Sequence, residues 1–268
     1  MDRATVVSGI FYPKDQDELI TQIKGYMSKP DGNVVSALGV ILPHAGYLYS
    51  GRVAVETLQK VAGAKKIIIL GPNHTGSGKP FAVWPNGLWH TPLGDVIVDT
   101  ELVEKIVSKG ELIEPDISAH LKEHSIEVQL PLLQYLYKDF KIAPIACGAQ
   151  SFDLCLKAGR QIYEALKNER EKVLIVLSTD FTHYEPETSA RKKDLELLER
   201  IVSLDERGLF DTFVRQNGSM CGIFAAIVFL HALKLLGARK ASCVRYMTSG
   251  DVSGDFSSVV GYAGVVVH

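Results

Sequence analysis

The sequence predicts a single α/β domain: a central mixed, mostly parallel sheet with helices on both faces. Continuous apolar runs of strand length recur at residues 37–42, 66–70 (KIIIL), 141–146 and 173–177 (VLIVL). Runs that are apolar throughout, rather than alternating, suit strands buried on both faces. Helical patterns separate them at residues 52–62, 100–108, 123–137, 153–168, 188–202, 204–215 and 221–236. Strand and helix in turn mean βαβ units and hence parallel pairing.

The remaining segments fit around that frame. Residues 80–98 (PFAVWPNGLWHTPLGDVIV) break the rhythm with turn residues and two tryptophans, and read as a hairpin or insertion at the sheet edge. Two late apolar runs, 242–248 and 258–267, are joined by the turn-rich SGDVSGD and read as an antiparallel hairpin that closes the sheet. No Pro/Gly/Ser linker and no repeat divides the chain, so residues 1–268 read as one domain. With 268 residues, 46% of them hydrophobic, that domain can bury a large core.

Composition narrows the function. A net charge of -2 without a basic block gives no electrostatic reason to expect nucleic acid or a membrane surface as partner. The N-terminus lacks a signal-peptide pattern and no apolar run spans a bilayer, so a cytoplasmic protein is expected. Four scattered cysteines, Cys147, Cys155, Cys221 and Cys243, form no CxxC pair and indicate neither a disulfide framework nor a zinc knuckle. The glycine-rich GPNHTGSGK and SGDVSGD lack the spacing of a nucleotide-binding loop.

The chemistry lies where the strands end. His44 follows the first buried run (VILPHAGYLYSG), His74 the second (KIIILGPNH), and Asp180 and His183 the fourth (VLIVLSTDFTHY). Ligand crevices of open α/β sheets form at the carboxyl ends of their strands. His44, His74 and His183 are therefore expected to meet despite their separation in sequence. An imidazole there can bind a metal or move protons near neutral pH. One such histidine is ordinarily a turn residue; three at equivalent strand ends point to a shared site.

Other candidates surround them. Cys221 (GSMCGIF) is expected in the first turn of the helix over 221–236, where the helix dipole favours the thiolate; a small buried apolar cysteine is the alternative. In HLKEHSIEVQLPLL, His120 and His124 lie one helical turn apart, but Glu123 directly precedes His124, which is not the order of a zincin motif. His124 and Glu127 read either as pocket-lining or orienting groups or as capping and surface residues. Tyr47 and Asn73, close to His44 and His74 in sequence, are also pocket-lining candidates. Tyr47, Tyr49, Trp84 and Trp89 read as ligand groove or as core, and His231 as structural.

PHAGYLYSG, ILGPNH, WHTPLG, EHSIEVQLP, STDFTHY and MCG, in that order over nearly the whole chain, resemble the Memo family. The resemblance implies a fold similar to the class III extradiol non-haem iron dioxygenases. It implies metal binding by His44, His74 and Cys221, with His183 as acid/base and Asp180 fixing its tautomer. Fe(II) is the implied metal, and copper or zinc are alternatives that a thiolate also suits. The dioxygenases have a carboxylate where this chain has Cys221, so ring cleavage does not transfer with the fold. A metal-dependent oxidoreductase is the first expectation and metal-assisted hydrolysis the second. The third is a non-catalytic signalling or scaffold protein holding a small molecule or peptide in the same pocket. Bacterial and archaeal relatives further imply a radical-SAM protein as partner.

Overall fold

The computed structural model describes residues 1–29 and 34–268. The first third of the chain forms β1 (Asp2–Arg3), α1 (Gln16–Tyr26), β2 (Gly39–Leu42), α2 (Tyr47–Leu58) and β3 (Lys66–Pro72). Next come β4 (Phe81–Val83), β5 (Leu88–Trp89), β6 (Val96–Val98), α3 (Thr100–Val107), β7 (Ile113–Pro115), α4 (Gln129–Leu136) and β8 (Lys141–Cys147). The last part holds α5 (Phe152–Leu166), β9 (Val173–Ser178), β10 (His183–Glu185), α6 (Glu187–Val202), α7 (Glu206–Arg215), α8 (Ile223–Leu235), β11 (Ala241–Thr248), α9 (Gly250–Ser253) and β12 (Val259–Val267).

The four predicted interior strands are β8, β3, β9 and β2, lying parallel in that spatial order. Ile67, Ile68, Ile69 and Leu70 of β3 are fully buried. Each such side chain contributes about 1.5–3 kcal/mol by leaving water. The late hairpin forms as expected, β11 against β12, and β12 also pairs antiparallel with β2, which makes the sheet mixed. The 80–98 segment gives the β5–β6 hairpin at one end of the sheet, with β4 antiparallel to β8.

Helices cover both faces. A Cβ at Gly264 would strike Thr57 of α2, whereas one at Gly261 would strike Asp194 of α6. Side chains alternate along a strand, so α2 and α6 lie on opposite faces of β12. The helices α1 and α4 pack with α2, and α3, α5, α7 and α8 continue the layer of α6.

Three elements differ from the sequence reading in ways that matter at the site. The helix expected over 123–137 is only α4, Gln129–Leu136. Pro131 has no N–H to donate, which a helix tolerates only in its first turn, and here Pro131 is the third helical residue. Residues 123–128 are therefore a turn. The helix expected over 221–236 begins at Ile223 with Gly222 as its cap, so Cys221 lies before the first turn. The 1–36 region, to which the sequence reading assigned no element, carries α1, started by the Asp15 carboxylate accepting from the amides of Asp17 and Glu18. Among the described residues no helix is long and apolar enough to cross a membrane.

Candidate metal centre

β2, β9 and β3 are neighbours, with β9 between the other two, so their carboxyl ends open onto one place. His44 leaves β2, His74 leaves β3, and Asp180 leaves β9. The turn before α8 brings Cys221 to the same point: the Asp180 amide donates to its Sγ at 3.3 Å, and the Gly222 amide donates to Thr179 Oγ1 at 3.0 Å. Only glycine fits at 222, because a Cβ there would lie 2.5 Å from the Thr179 side chain. One ligand atom from each of His44, His74 and Cys221 lies within 4.8 Å of the other two, and His44 Nε2 is 3.4 Å from Cys221 Sγ. Nitrogen and sulfur ligands on one tetrahedral first-row ion stand about 3.5 Å apart. His44 is buried, Cys221 half-buried and His74 exposed, so the site opens to solvent on the His74 side.

The hydrogen bonds decide which nitrogen each ring presents. Ser178 Oγ donates to Ser125 O at 2.6 Å and accepts from Gln129 Nε2 at 2.8 Å. Its only proton is thus committed, and the 3.0 Å bond to His44 Nδ1 must have Nδ1–H as donor. That leaves a lone pair on His44 Nε2, the atom facing Cys221. Burial, reinforced by the neighbouring His74 and His124, holds His44 well below the usual histidine range and keeps it neutral. His74 is arranged in the same way: Nδ1 lies 2.9 Å from Glu123 Oε1, and the His74 amide donates to Oε2. Burial opposes charge on His74, but the Glu123 bond and charge outweigh it and raise the ring above the usual value. Glu123, buried against its own ionisation, is nevertheless drawn down to about 2 by the hydrogen bond and charge of His74 and the amide of Ser125. An imidazole backed by a carboxylate is the usual support of a metal-bound histidine.

The thiolate expectation is corrected. Burial, then the Asp180 carboxylate, push the Cys221 thiol up to about 12, against the pull of the Asp180 amide. Displaced from the helix, the sulfur gains little from the dipole. It ionises only in exchange for a positive partner.

Asp180 is buried, and its Oδ1 accepts from the His44 amide at 2.8 Å. Burial raises it to about 6, with the His44 amide and the charge of His183 limiting the rise. It does not fix the tautomer of His183. That ring donates from Nδ1 to Ser219 O at 2.9 Å, and its amide donates to Ser219 Oγ at 2.8 Å. His183 therefore has its Nε2 lone pair free.

The pocket-lining candidates divide. His124 joins the cluster, its ring stacked on His74 at 4.8 Å and edge-on to His44 at 5.5 Å. Glu127 does not line the pocket: it is fully buried and accepts from Arg3 Nη1, the amides of Val6 and Val7, and Tyr12 Oη. Tyr47 is also fully buried and donates to Val128 O. Asn73 spends its carboxamide on its own loop, accepting from Thr75 and Gly76 and donating to Ser77 O. His120 is no zinc partner of His124: burial lowers it to about 4, and it sits edge-on to Trp84 and Trp89 with Nε2 against Ala82 O. Both tryptophans are core. His231 meets Glu206 at 3.2 Å, remote from the cluster. Sequence reasoning missed Glu123 and Ser178 as supports. An acid directly before His124 was the available signal for Glu123, whereas Ser178 was hidden inside a strand.

Fold and site together define an α/β protein with a histidine and thiol cluster at the carboxyl ends of its central strands. The sequence profile described as "Memo-like protein" matches residues 3–266, and the chain belongs to the Memo family. Similar curated relatives are MEMO1 family proteins of Methanopyrus kandleri (40% identical over 279 residues, 99% of each chain), Methanocaldococcus jannaschii (42% over 284, 99% of each) and Aquifex aeolicus (42% over 265, 98% of each). Among solved structures, an uncharacterized protein from Escherichia coli K12 shares the fold at TM-score 0.54 and 12% identity, over 85% of this chain and 98% of that one.

Proposed function

We propose that this protein is a metal-dependent oxidoreductase whose ion, Fe(II) or copper, is held by His44 Nε2, His74 Nε2 and Cys221 Sγ. The observation that supports it most is the pair of bonds from His44 Nδ1 to Ser178 and from His74 Nδ1 to Glu123, which engage both Nδ1 atoms and leave the Nε2 atoms to meet an ion beside the sulfur. A bound ion there would supply a Lewis acid with open positions and, for iron or copper, electron exchange.

The chain's own residues handle protons. Asp180, buried 4.0 Å from His44 Nε2, is the carboxylate placed to take or return a proton beside the ion. His183, its Nδ1 committed to Ser219, accepts a proton at Nε2. His124 stacks on His74 and takes the Phe11 ring edge-on at 4.9 Å, which steadies the His74 ring at the solvent-facing side of the site. The partner we infer is a small molecule bearing oxygen, bound at the strand ends.

Metal analysis by mass spectrometry, on untagged wild type and on His74→Ala and Cys221→Ala, tests the reading. About one equivalent of iron or copper, lost in both variants, is expected, together with substrate-dependent oxygen uptake. Zinc alone with ester or amide turnover would move the assignment to metal-assisted hydrolysis. No metal after anaerobic reconstitution would overturn it.

A further inference from the structure

His124 is the ring of the cluster that no hydrogen bond explains. His44 has Ser178, His74 has Glu123 and His183 has Ser219, but among the described residues neither ring nitrogen of His124 has a hydrogen-bond partner. Its place is nevertheless fixed. The ring stacks on His74 with 14° between the planes, takes the Phe11 ring edge-on, and the His124 amide donates to Glu123 Oε1 at 2.9 Å. His124 Nδ1 is thereby held 3.5 Å from that same Oε1.

Glu123 supplies an independent observation. Its side chain is 1% exposed, and among the described residues no lysine or arginine pairs with its carboxylate. The nearby Arg3 donates to the Glu123 carbonyl and to the Glu127 carboxylate instead. Only imidazoles and the backbone amides of His74, His124 and Ser125 meet the Glu123 charge. A carboxylate buried this far is ordinarily paired with a full countercharge or bound to a metal.

The three side chains have the spacing of ligands. His74 Nδ1 lies 2.9 Å from Glu123 Oε1, and one ligand atom from each of His74, Glu123 and His124 lies within 4.8 Å of the other two. Nitrogen and oxygen donors on one tetrahedral first-row ion stand about 3.3 Å apart. The His74 and His124 side chains are 34% and 24% exposed, against 3% for His44, so this trio faces solvent and the His44 side lies beneath it.

We propose that His74 Nδ1, Glu123 Oε1 and His124 Nδ1 form a second, outer metal site for a divalent ion such as zinc or cobalt, with the His74 ring bridging it to the inner site at His44 and Cys221. Two imidazoles and a carboxylate, without sulfur, suit such ions better than cuprous copper. An ion entering there takes the place of the proton shared by His74 Nδ1 and Glu123, and that proton passes to solvent. The outer site therefore fills after the inner one, with metal in excess. This inference adds to the metal-centre reading, with which it shares His74.

Anaerobic titration with Co2+ tests it, because a cobalt–thiolate bond gives a near-ultraviolet charge-transfer band that a nitrogen and oxygen site lacks. Wild type is expected to take up about two equivalents, the first with the band and the second without it. His124→Phe keeps a ring to pack against His74 and Phe11 but has no nitrogen, and is expected to stop at about one equivalent with the band intact. Cys221→Ala is expected to lose the band and keep the outer ion. Wild type that saturates at about one equivalent with the band would overturn the outer site and leave the metal-centre reading standing. A second ion that persists in folded His124→Phe would also overturn it. A single ion without the band, lost in His124→Phe and kept in Cys221→Ala, would uphold the outer site and overturn the inner one.

Discussion

His74 Nδ1 lies 2.9 Å from Oε1 of Glu123, a carboxylate 49 residues further along the chain and 1% exposed. The same carboxylate accepts from the amides of His74, His124 and Ser125. It therefore orients the ring and fixes the loop that carries it. Glu123→Gln keeps the shape but loses the charge, and is expected to lower metal affinity by about 10–100-fold in a folded protein. Competition against a chelator of known affinity measures this; an unchanged affinity would mean that His74 needs no such support.

Metal affinity should rise with pH. The Cys221 thiol, at about 12 without metal, is protonated throughout the neutral range, so forming the metal–sulfur bond releases a proton. The association constant is expected to increase about tenfold per pH unit between 7 and 9. Below the raised value of His74 a second proton is displaced and the dependence steepens. An affinity that stays flat across this range would show that no thiolate is made.

The metal-free protein carries its own pH signature. Glu123 is lowered to about 2 in the folded state from an ordinary 4.5, so its contribution is present above 4.5 and fades as pH falls toward 2. The raised His74 acts in the opposite sense. Its contribution is complete below 6.5 and is lost as pH rises through the raised value. The pair therefore stabilises most between 4.5 and 6.5. The difference in Tm between wild type and Glu123→Gln should be greatest in that window and shrink by pH 3; a difference independent of pH would refute it.

Arg3 anchors the N-terminal segment under the site. Its guanidinium donates to His120 O, the Glu127 carboxylate and Glu123 O, and lies 4.1 Å over the Trp89 ring. Both partners of the Arg3–Glu127 pair are buried, at 2% and 0% exposure. Arg3→Ala strands a charge in the interior and is expected to cost about 3–5 kcal/mol, roughly 10 °C of Tm in a chain this size. Thermal denaturation of the metal-free variant checks this, with the exposed Lys14→Ala as a control expected to be silent.

Much of this molecule is written in local patterns. The continuous apolar runs of β2, β3, β8 and β9 specify buried parallel strands, because a strand covered on both faces cannot alternate. The SGDVSGD turn between two late runs specifies the closing hairpin. His44, His74, Asp180 and His183 were identifiable because each follows directly on such a run, and a strand end fixes the place of the next few residues.

What tertiary structure decided lies between segments distant in sequence. Cys221 reaches His44 only because Gly222 lets the turn before α8 close on Thr179. Its thiol is raised rather than lowered because packing buries it beside Asp180. Glu127 and Tyr47 point into the core because Arg3 and Val128 O meet them there. Glu123 and Ser178 support the two imidazoles from positions 49 and 134 residues away. Periodicity reports which face of one element is apolar; which polar atom satisfies which other is set only when buried groups from separate segments must find partners in the folded interior.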